Sequence, residues 1–260
     1  VQLHSVKEAL KEDFEGTLEA LAAMGFKGVE FAGHYGKYKR DPVGLKNFLD
    51  SLGLTASGAH IGLAQLQGDN ALNQFTFFKA LGVKLILIPH DKRIDNAEKI
   101  DELIADITKL SILANSLDMK LGYHNHAKEF KPYKNSTFWD YLALNTPPEF
   151  VLQLDAGWAN FAAIDPITYV KRYPNRTLTT HFKVRTYQGK PGPVSKDKKV
   201  IIGQNNYDWA ALIKATIQYG NTQWIVVEQE EYPNGLTPLQ AVQQSLNGLN
   251  TIISNIKMAH

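Results

Sequence analysis

A chain of 260 residues, 44% hydrophobic and 21% charged, has ordinary globular composition and is long enough for one large core. A net charge of +2, with lysine and arginine dispersed, argues against nucleic acid as a partner; the densest basic stretches, residues 37–40 and 196–199, read as solvated loops. No apolar run approaches the ~20 residues of a membrane span, and the absence of cysteine excludes disulfides, thiolate ligands and a cysteine nucleophile. Any metal must therefore be held by nitrogen and oxygen. The chain reads as a soluble protein, and a homo-oligomer stays open. So does the compartment: cytoplasm or, if a leader was removed upstream of Val1, periplasm.

The chain begins with an apolar run, VQLHSV, that reads as a strand. Phe14, Leu18, Leu21 and Ala22 then fall at helical spacing, with Gly25 as C-cap. FKGVEFAG is a second strand. Asp41 and Pro42 supply the N-cap and first position of a helix that stops at Gly53, ahead of a third strand, LTASGAH. The unit then recurs. ALNQFTFFKALG precedes VKLILIPH, and a helix from about Asn96 to Leu117 precedes MKLGYHNH. STFWDYLALN precedes FVLQLDAG, and DPITYVKRYP, another Asp-Pro start, precedes TLTTHFKV. YDWAALIKATIQYG precedes WIVVEQE, and a last helix runs from about Thr237 to Ile256.

Eight near-continuous apolar strands alternating with eight helical segments imply a parallel sheet, and this number of units in about 250 residues is the size of a (β/α)8 TIM barrel. A doubly wound open sheet is the runner-up, weakened by the lack of a Gly-rich phosphate fingerprint after any strand. No linker divides the chain, so residues 1–260 read as a single domain.

Barrels of this kind build their active sites from the loops that follow the strands. Seven of the eight histidines lie in or just after the apolar runs: His4, His34, His60, His90, His124, His126 and His181. Two further runs end in carboxylates, Asp155 and Glu228. Two carboxylates facing a histidine are best neutralised by a divalent cation, which makes Asp155, His181 and Glu228 candidate ligands. Each has a structural reading as well. Asp155 could cap the following helix, and His181 could be a satisfied core histidine. Glu228 has the weakest such alternative, because glutamate is seldom buried without a partner.

Residues two apart share one side of a strand, so His124 and His126 are expected to face the barrel mouth together. One is then a fourth ligand and the other an acid or a substrate contact, with Glu129 as a competing ligand. His60 and His90 are candidates for hydrogen bonds to substrate hydroxyls. Trp158, like Phe161, Tyr35 and Tyr232, could present an aromatic face to a sugar or simply pack. Lys183, two residues past His181, could hold an anionic oxygen or stand in solvent.

The runs LGYHNHAKEF, LQLDAGWA, DPITYVKRYPNR, THFKV, YDW and WIVVEQE together resemble the sugar phosphate isomerase/epimerase branch of the xylose-isomerase-like TIM barrels, a superfamily that includes AP endonuclease family 2. The match spans essentially the whole chain. The resemblance implies a divalent ion, often manganese, with Asp155, His181 and Glu228 among its ligands; magnesium, cobalt and zinc tolerate the same donors. The family's strand-five glutamate falls at or next to His124, where this chain resembles the inosose-dehydratase-like subgroup with its Tyr-His-x-His pattern. Trp158 stands where many epimerases place a histidine, and Val184 where relatives often have an aspartate.

The expected activity is a metal-dependent sugar isomerase or epimerase, acting by proton abstraction next to a carbonyl polarised by the ion. Glu228 is the expected base, with His126 and Lys183 assisting catalysis and His60, His90, Trp158 and Glu129 binding a small sugar, keto sugar or polyol. The expected ligands are His124, Asp155, His181 and Glu228. The alternatives are a lyase or dehydratase acting by β-elimination on a keto sugar or keto-inositol, and a non-catalytic carbohydrate-binding barrel. Hydrolysis of abasic DNA would need a trinuclear zinc site and a basic groove, for which the chain has too few ligands and too little basic excess.

Overall fold

The computed structural model describes residues 1–185 and 201–258, so the basic stretch at 196–199 lies outside the described residues. The chain falls into two compact units: Val1–His124 with Lys131–Val151, and Asn125–Phe130 with Leu152–His260.

In the first unit, β1 (Gly28–Phe31), β2 (Thr55–His60), β3 (Leu85–Ile88) and β4 (Lys120–His124) pair in parallel, each with the next in the chain. Ahead of β1 come α1 (Lys7–Glu12) and α2 (Phe14–Met24), and between the strands run α3 (Pro42–Ser51), α4 (Asn70–Leu81) and α5 (Ile100–Ser116). The boundaries follow local chemistry. Asp13 caps α2 by accepting the Gly16 N–H, and Gly25 ends it at φ 100°. Asp41 caps α3 ahead of Pro42. Phe14, Leu18 and Leu21 bury one face of α2, as their spacing requires. A two-stranded hairpin, β5 (Pro132–Tyr133) with β6 (Ser136–Thr137), precedes α6 (Phe138–Leu144), and its pairing carries no apolar pattern that would announce it.

In the second unit, β7 (Val151–Asp155, its first residue in the other unit), β8 (Thr179–Phe182) and β9 (Trp224–Val227) are again parallel neighbours. The helices are α7 (Ala156–Phe161), α8 (Pro166–Arg172), α9 (Trp209–Gln218) and α10 (Pro238–Met258). No helix among the described residues is long and apolar enough to cross a membrane.

The first predicted strand is corrected. Leu3–Val6 form a 3-10 turn rather than a strand, and only Gln2 makes a bridge, to Glu30. Local hydrogen bonds win over a ladder there: Ser5 N–H donates to the Gln2 carbonyl, and the Gln2 side chain accepts the His4 N–H. Leu3 and Val6 are buried all the same. Among the described residues seven main strands therefore stand where eight were expected, and His4 is exposed on the turn rather than at a strand end. The helix expected from Asn96 begins only at Ile100, because the Asn96 side chain accepts the Glu98 N–H and holds the preceding residues in a turn.

Candidate metal centre

Three of the proposed ligands meet inside the second unit. Asp155 is the last residue of β7 and lies in register with His181 of β8. Glu228 follows the last residue of β9, its N–H donating to the Phe182 carbonyl and extending the ladder by one step. His181 Nδ1 stands 3.0 Å from Glu228 Oε2 and 4.0 Å from Asp155 Oδ2. All three side chains are buried.

Asp155 is both a cap and a member of this cluster. Its Oδ1 accepts the Trp158 N–H at 2.8 Å and starts α7, while its Oδ2 faces His181 and Lys183. Its backbone is fixed from the side by Asn125, whose Oδ1 accepts the Asp155 N–H at 2.9 Å and whose Nδ2 donates to the Asp155 carbonyl at 3.2 Å. Gly157 lets α7 start this close to the chain after β8, since a Cβ there would sit 2.6 Å from the Lys183 carbonyl oxygen.

Lys183, one residue past β8, turns to the same side as His181. Its Nζ lies 3.1 Å from Glu228 Oε2 and 3.8 Å from Asp155 Oδ2, and it pairs closely with Glu230. Arg185 continues the row, pairing with Glu230 at 3.3 Å and with Glu231. The Trp158 ring carries the Arg185 guanidinium at 4.1 Å and the Lys183 ammonium at 5.3 Å. Burial pushes the Asp155 carboxyl well up from its ordinary value; Lys183 opposes that shift and Glu228 adds to it. Burial works against the Lys183 charge, but Glu228, Asp155 and Glu230 outweigh it and hold the ammonium above its ordinary range. Burial likewise raises Glu231, against the pull of Arg185.

The other candidates are placed less uniformly. His124 ends β4 in the first unit, buried, with its ring 4.9 Å from that of His60, the last residue of β2. The strand stops at His124, so the alternation expected to pair His124 with His126 does not extend to His126. His126 instead belongs to the loop segment of the second unit, its ring 5.3 Å from Trp158. Glu129 is fully buried beside it, and its Oε2 accepts the His126 N–H at 2.8 Å. His90 is exposed, two residues beyond β3, and His34 is half-buried in the loop after β1. The sequence reading passed over Asn125, Glu230 and Arg185. Period-two alternation from Glu228 and Lys183 points to the last two, whereas the hydrogen bonds of Asn125 have no sequence signal.

The residues present fit a divalent cation. Asp155, His181 and Glu228 each offer a donor atom within 4.8 Å of the others. The 3.0 and 4.0 Å separations bracket the ~3.4 Å expected between ligands each ~2.1 Å from a tetrahedral ion. Two buried carboxyls, Asp155 and Glu228, also share the single buried ammonium of Lys183, with Glu230, Glu231 and Arg185 half-buried beside them, an arrangement in which a divalent cation would favour the charged form of both carboxyls. The mixed nitrogen and oxygen donors suit several divalent metals and select none of them.

Comparison with known proteins bears on the family and the fold. The model of the family described as Xylose isomerase-like TIM barrel matches residues 18–252. A curated relative, the inosose dehydratase of Lacticaseibacillus casei, is 25% identical, with 87% of this chain and 85% of that protein aligned. Among solved structures, a sugar phosphate isomerase/epimerase from Parabacteroides distasonis superposes with a TM-score of 0.76 at 23% identity, covering 96% of this chain and 94% of its own. An IOLI protein with a bound zinc atom superposes with a TM-score of 0.69 at 16% identity, covering 93% of each chain. With strand and helix alternating in both units and the family model covering most of its length, the chain belongs to the Xylose isomerase-like TIM barrel family and has that family's α/β barrel fold.

Proposed function

We propose that the protein is a divalent-metal-dependent lyase that removes water from a keto-polyol of the inosose class. The observation that carries this reading is the convergence of Asp155, His181 and Glu228 in a buried cluster whose two carboxyls share the single buried ammonium of Lys183. Those three residues would hold the ion, and the sequence offers His124, His126 and Glu129 for a further position. When bound, the cation would supply a Lewis acid that polarises a substrate carbonyl.

Glu228 is the base for the proton on the carbon beside that carbonyl. Lys183 is held charged by its carboxylate neighbours, so it serves as a fixed cation that steadies developing negative charge rather than as a proton shuttle. As Glu228 takes the proton, the electron pair of the C–H bond forms a carbon–carbon double bond and the neighbouring C–O bond breaks. The leaving hydroxyl departs as water with a proton from an acid, for which His126 is the candidate. Trp158, stiffened by Arg185 and Lys183, offers an aromatic face to the substrate ring.

Two considerations favour elimination over epimerisation. The inosose dehydratase relatives align over most of both chains. Epimerisation is simplest with carboxylate bases on opposite faces of the carbon, and the strand-five position offers His124 instead of a glutamate. The test is incubation of metal-reconstituted protein with an inosose in deuterated water, with products read by mass spectrometry and NMR. Loss of one water supports the lyase. A product that keeps all its oxygens and gains solvent deuterium would establish isomerisation or epimerisation instead. Absence of both exchange and product would overturn both readings.

A further inference from the structure

We propose that Glu230 is a positioning residue for the metal centre: it takes the Lys183 ammonium away from Glu228 when a divalent cation binds, and so sets how tightly the cation is held. This rests on the reading above in that Asp155, His181 and Glu228 hold a metal. Every residue involved belongs to the second unit.

Glu228 Oε2 serves two neighbours at once. It stands 3.0 Å from His181 Nδ1 and 3.1 Å from Lys183 Nζ, so the oxygen that a cation would share with His181 is already engaged by an ammonium. An ammonium and a divalent cation repel each other, and across a few ångströms of buried site that repulsion is large. Lys183 has to give up the contact. Its side chain is only 2% exposed, however, and a buried ammonium that leaves one carboxylate without reaching another becomes a costly unpaired charge.

Glu230 supplies the other carboxylate. Its Oε2 pairs with the same Nζ, and its side chain is 31% exposed against 8% for Glu228, so a shift from Glu228 to Glu230 carries the ammonium toward water. Glu230 is itself fixed from two directions. Arg185 Nη2 lies 3.3 Å from Glu230 Oε2, while the rest of that guanidinium pairs with Glu231 and lies 4.1 Å from the centre of the Trp158 ring. The chain on either side of Glu230 is pinned to α10: the Ser245 hydroxyl donates to Gln229 Oε1 at 2.6 Å, and Gln229 Nε2 donates to the Glu231 carbonyl at 2.5 Å. Lysine, by contrast, ends a flexible four-carbon stem in three rotatable donors and changes partner by turning about single bonds. The acceptor stays and the ammonium moves.

The experiment measures zinc affinity of the full chain by competition with a chelator of known affinity. It compares wild type, Glu230→Gln, Lys183→Met and the double variant, with Asp155→Ala to identify the site and circular dichroism to confirm the fold of each. Glu230→Gln should weaken zinc about tenfold, because Lys183 then stays on Glu228. In the Lys183→Met background the same substitution should change affinity by less than about twofold, since the two residues act as a coupled pair. A carboxylate acting only through its field would weaken zinc equally in both backgrounds; that result, or unchanged affinity in Glu230→Gln, overturns the proposal. NMR correlations across hydrogen bonds from Lys183 Nζ to carboxylate carbons read the same shift in wild type alone. They should reach both Glu228 and Glu230 in metal-free protein and Glu230 only after zinc is added, and a correlation to Glu228 that survives zinc also overturns the proposal. If wild type binds zinc no better than Asp155→Ala, the metal reading fails and takes this proposal with it, whereas Asp155-dependent binding with equal losses in both backgrounds sinks the role of Glu230 alone.

Discussion

Asn125 grips the backbone of Asp155 from both sides, accepting its N–H and donating to its carbonyl, so that a side chain takes the place of a neighbouring strand at the point where β7 gives way to α7. Both residues are fully buried. Replacing Asn125 with alanine would leave two buried backbone groups without these partners, at about 1–3 kcal/mol for each. The expected result for Asn125→Ala is a lower melting temperature together with weaker metal binding, measured by calorimetry on the same preparations. Loss of stability with unchanged metal affinity would show that the clamp does not position the Asp155 carboxylate.

Lys183 competes with a cation for the same oxygens, standing 3.1 Å from Glu228 Oε2 and 3.8 Å from Asp155 Oδ2. Removing its charge should therefore strengthen metal binding, by at least about tenfold given the size of charge–charge interactions at such distances. Turnover should fall at the same time, because the developing negative charge loses its steadying cation. Titration of Lys183→Met against a chelator of known affinity measures the first effect and initial rates measure the second. Weaker metal binding in this variant would mean that Lys183 supports the ion's site rather than competing for it.

Metal removal should destabilise the fold through linkage. At free metal of about 100 Kd the bound state gains roughly 2.7 kcal/mol, and for a chain of this size each kcal/mol moves the melting temperature by about 2–4 °C. Chelator should thus lower the melting temperature by roughly 5–10 °C in wild type and by far less in Asp155→Ala. Equal shifts in the two proteins would place any bound ion elsewhere.

Glu228→Gln keeps the size of the side chain and removes its basicity. A general base contributes about 10²–10⁴-fold to rate, so turnover should fall by that amount while circular dichroism stays unchanged. Activity near wild type would remove Glu228 from the proton-transfer role.

Periodicity and punctuation in the chain were enough to determine strand–helix alternation, the Asp-Pro starts at Asp41 and Asp165, and strands ending at Asp155 and next to Glu228, because those features depend on residues close together in sequence. They also misread VQLHSV, where apolar residues are buried by a turn instead of a ladder; hydrophobicity reports burial and does not distinguish the two. What only the tertiary structure decided is which polar atoms meet. That Asp155 divides its carboxylate between a helix cap and the cluster, that Lys183 leans on Glu228, and that Glu30 reaches His60 past a bulge all depend on register between strands far apart in the chain. A single residue of slip would turn each of these side chains to the other face of its sheet, and no local pattern in the sequence encodes that register.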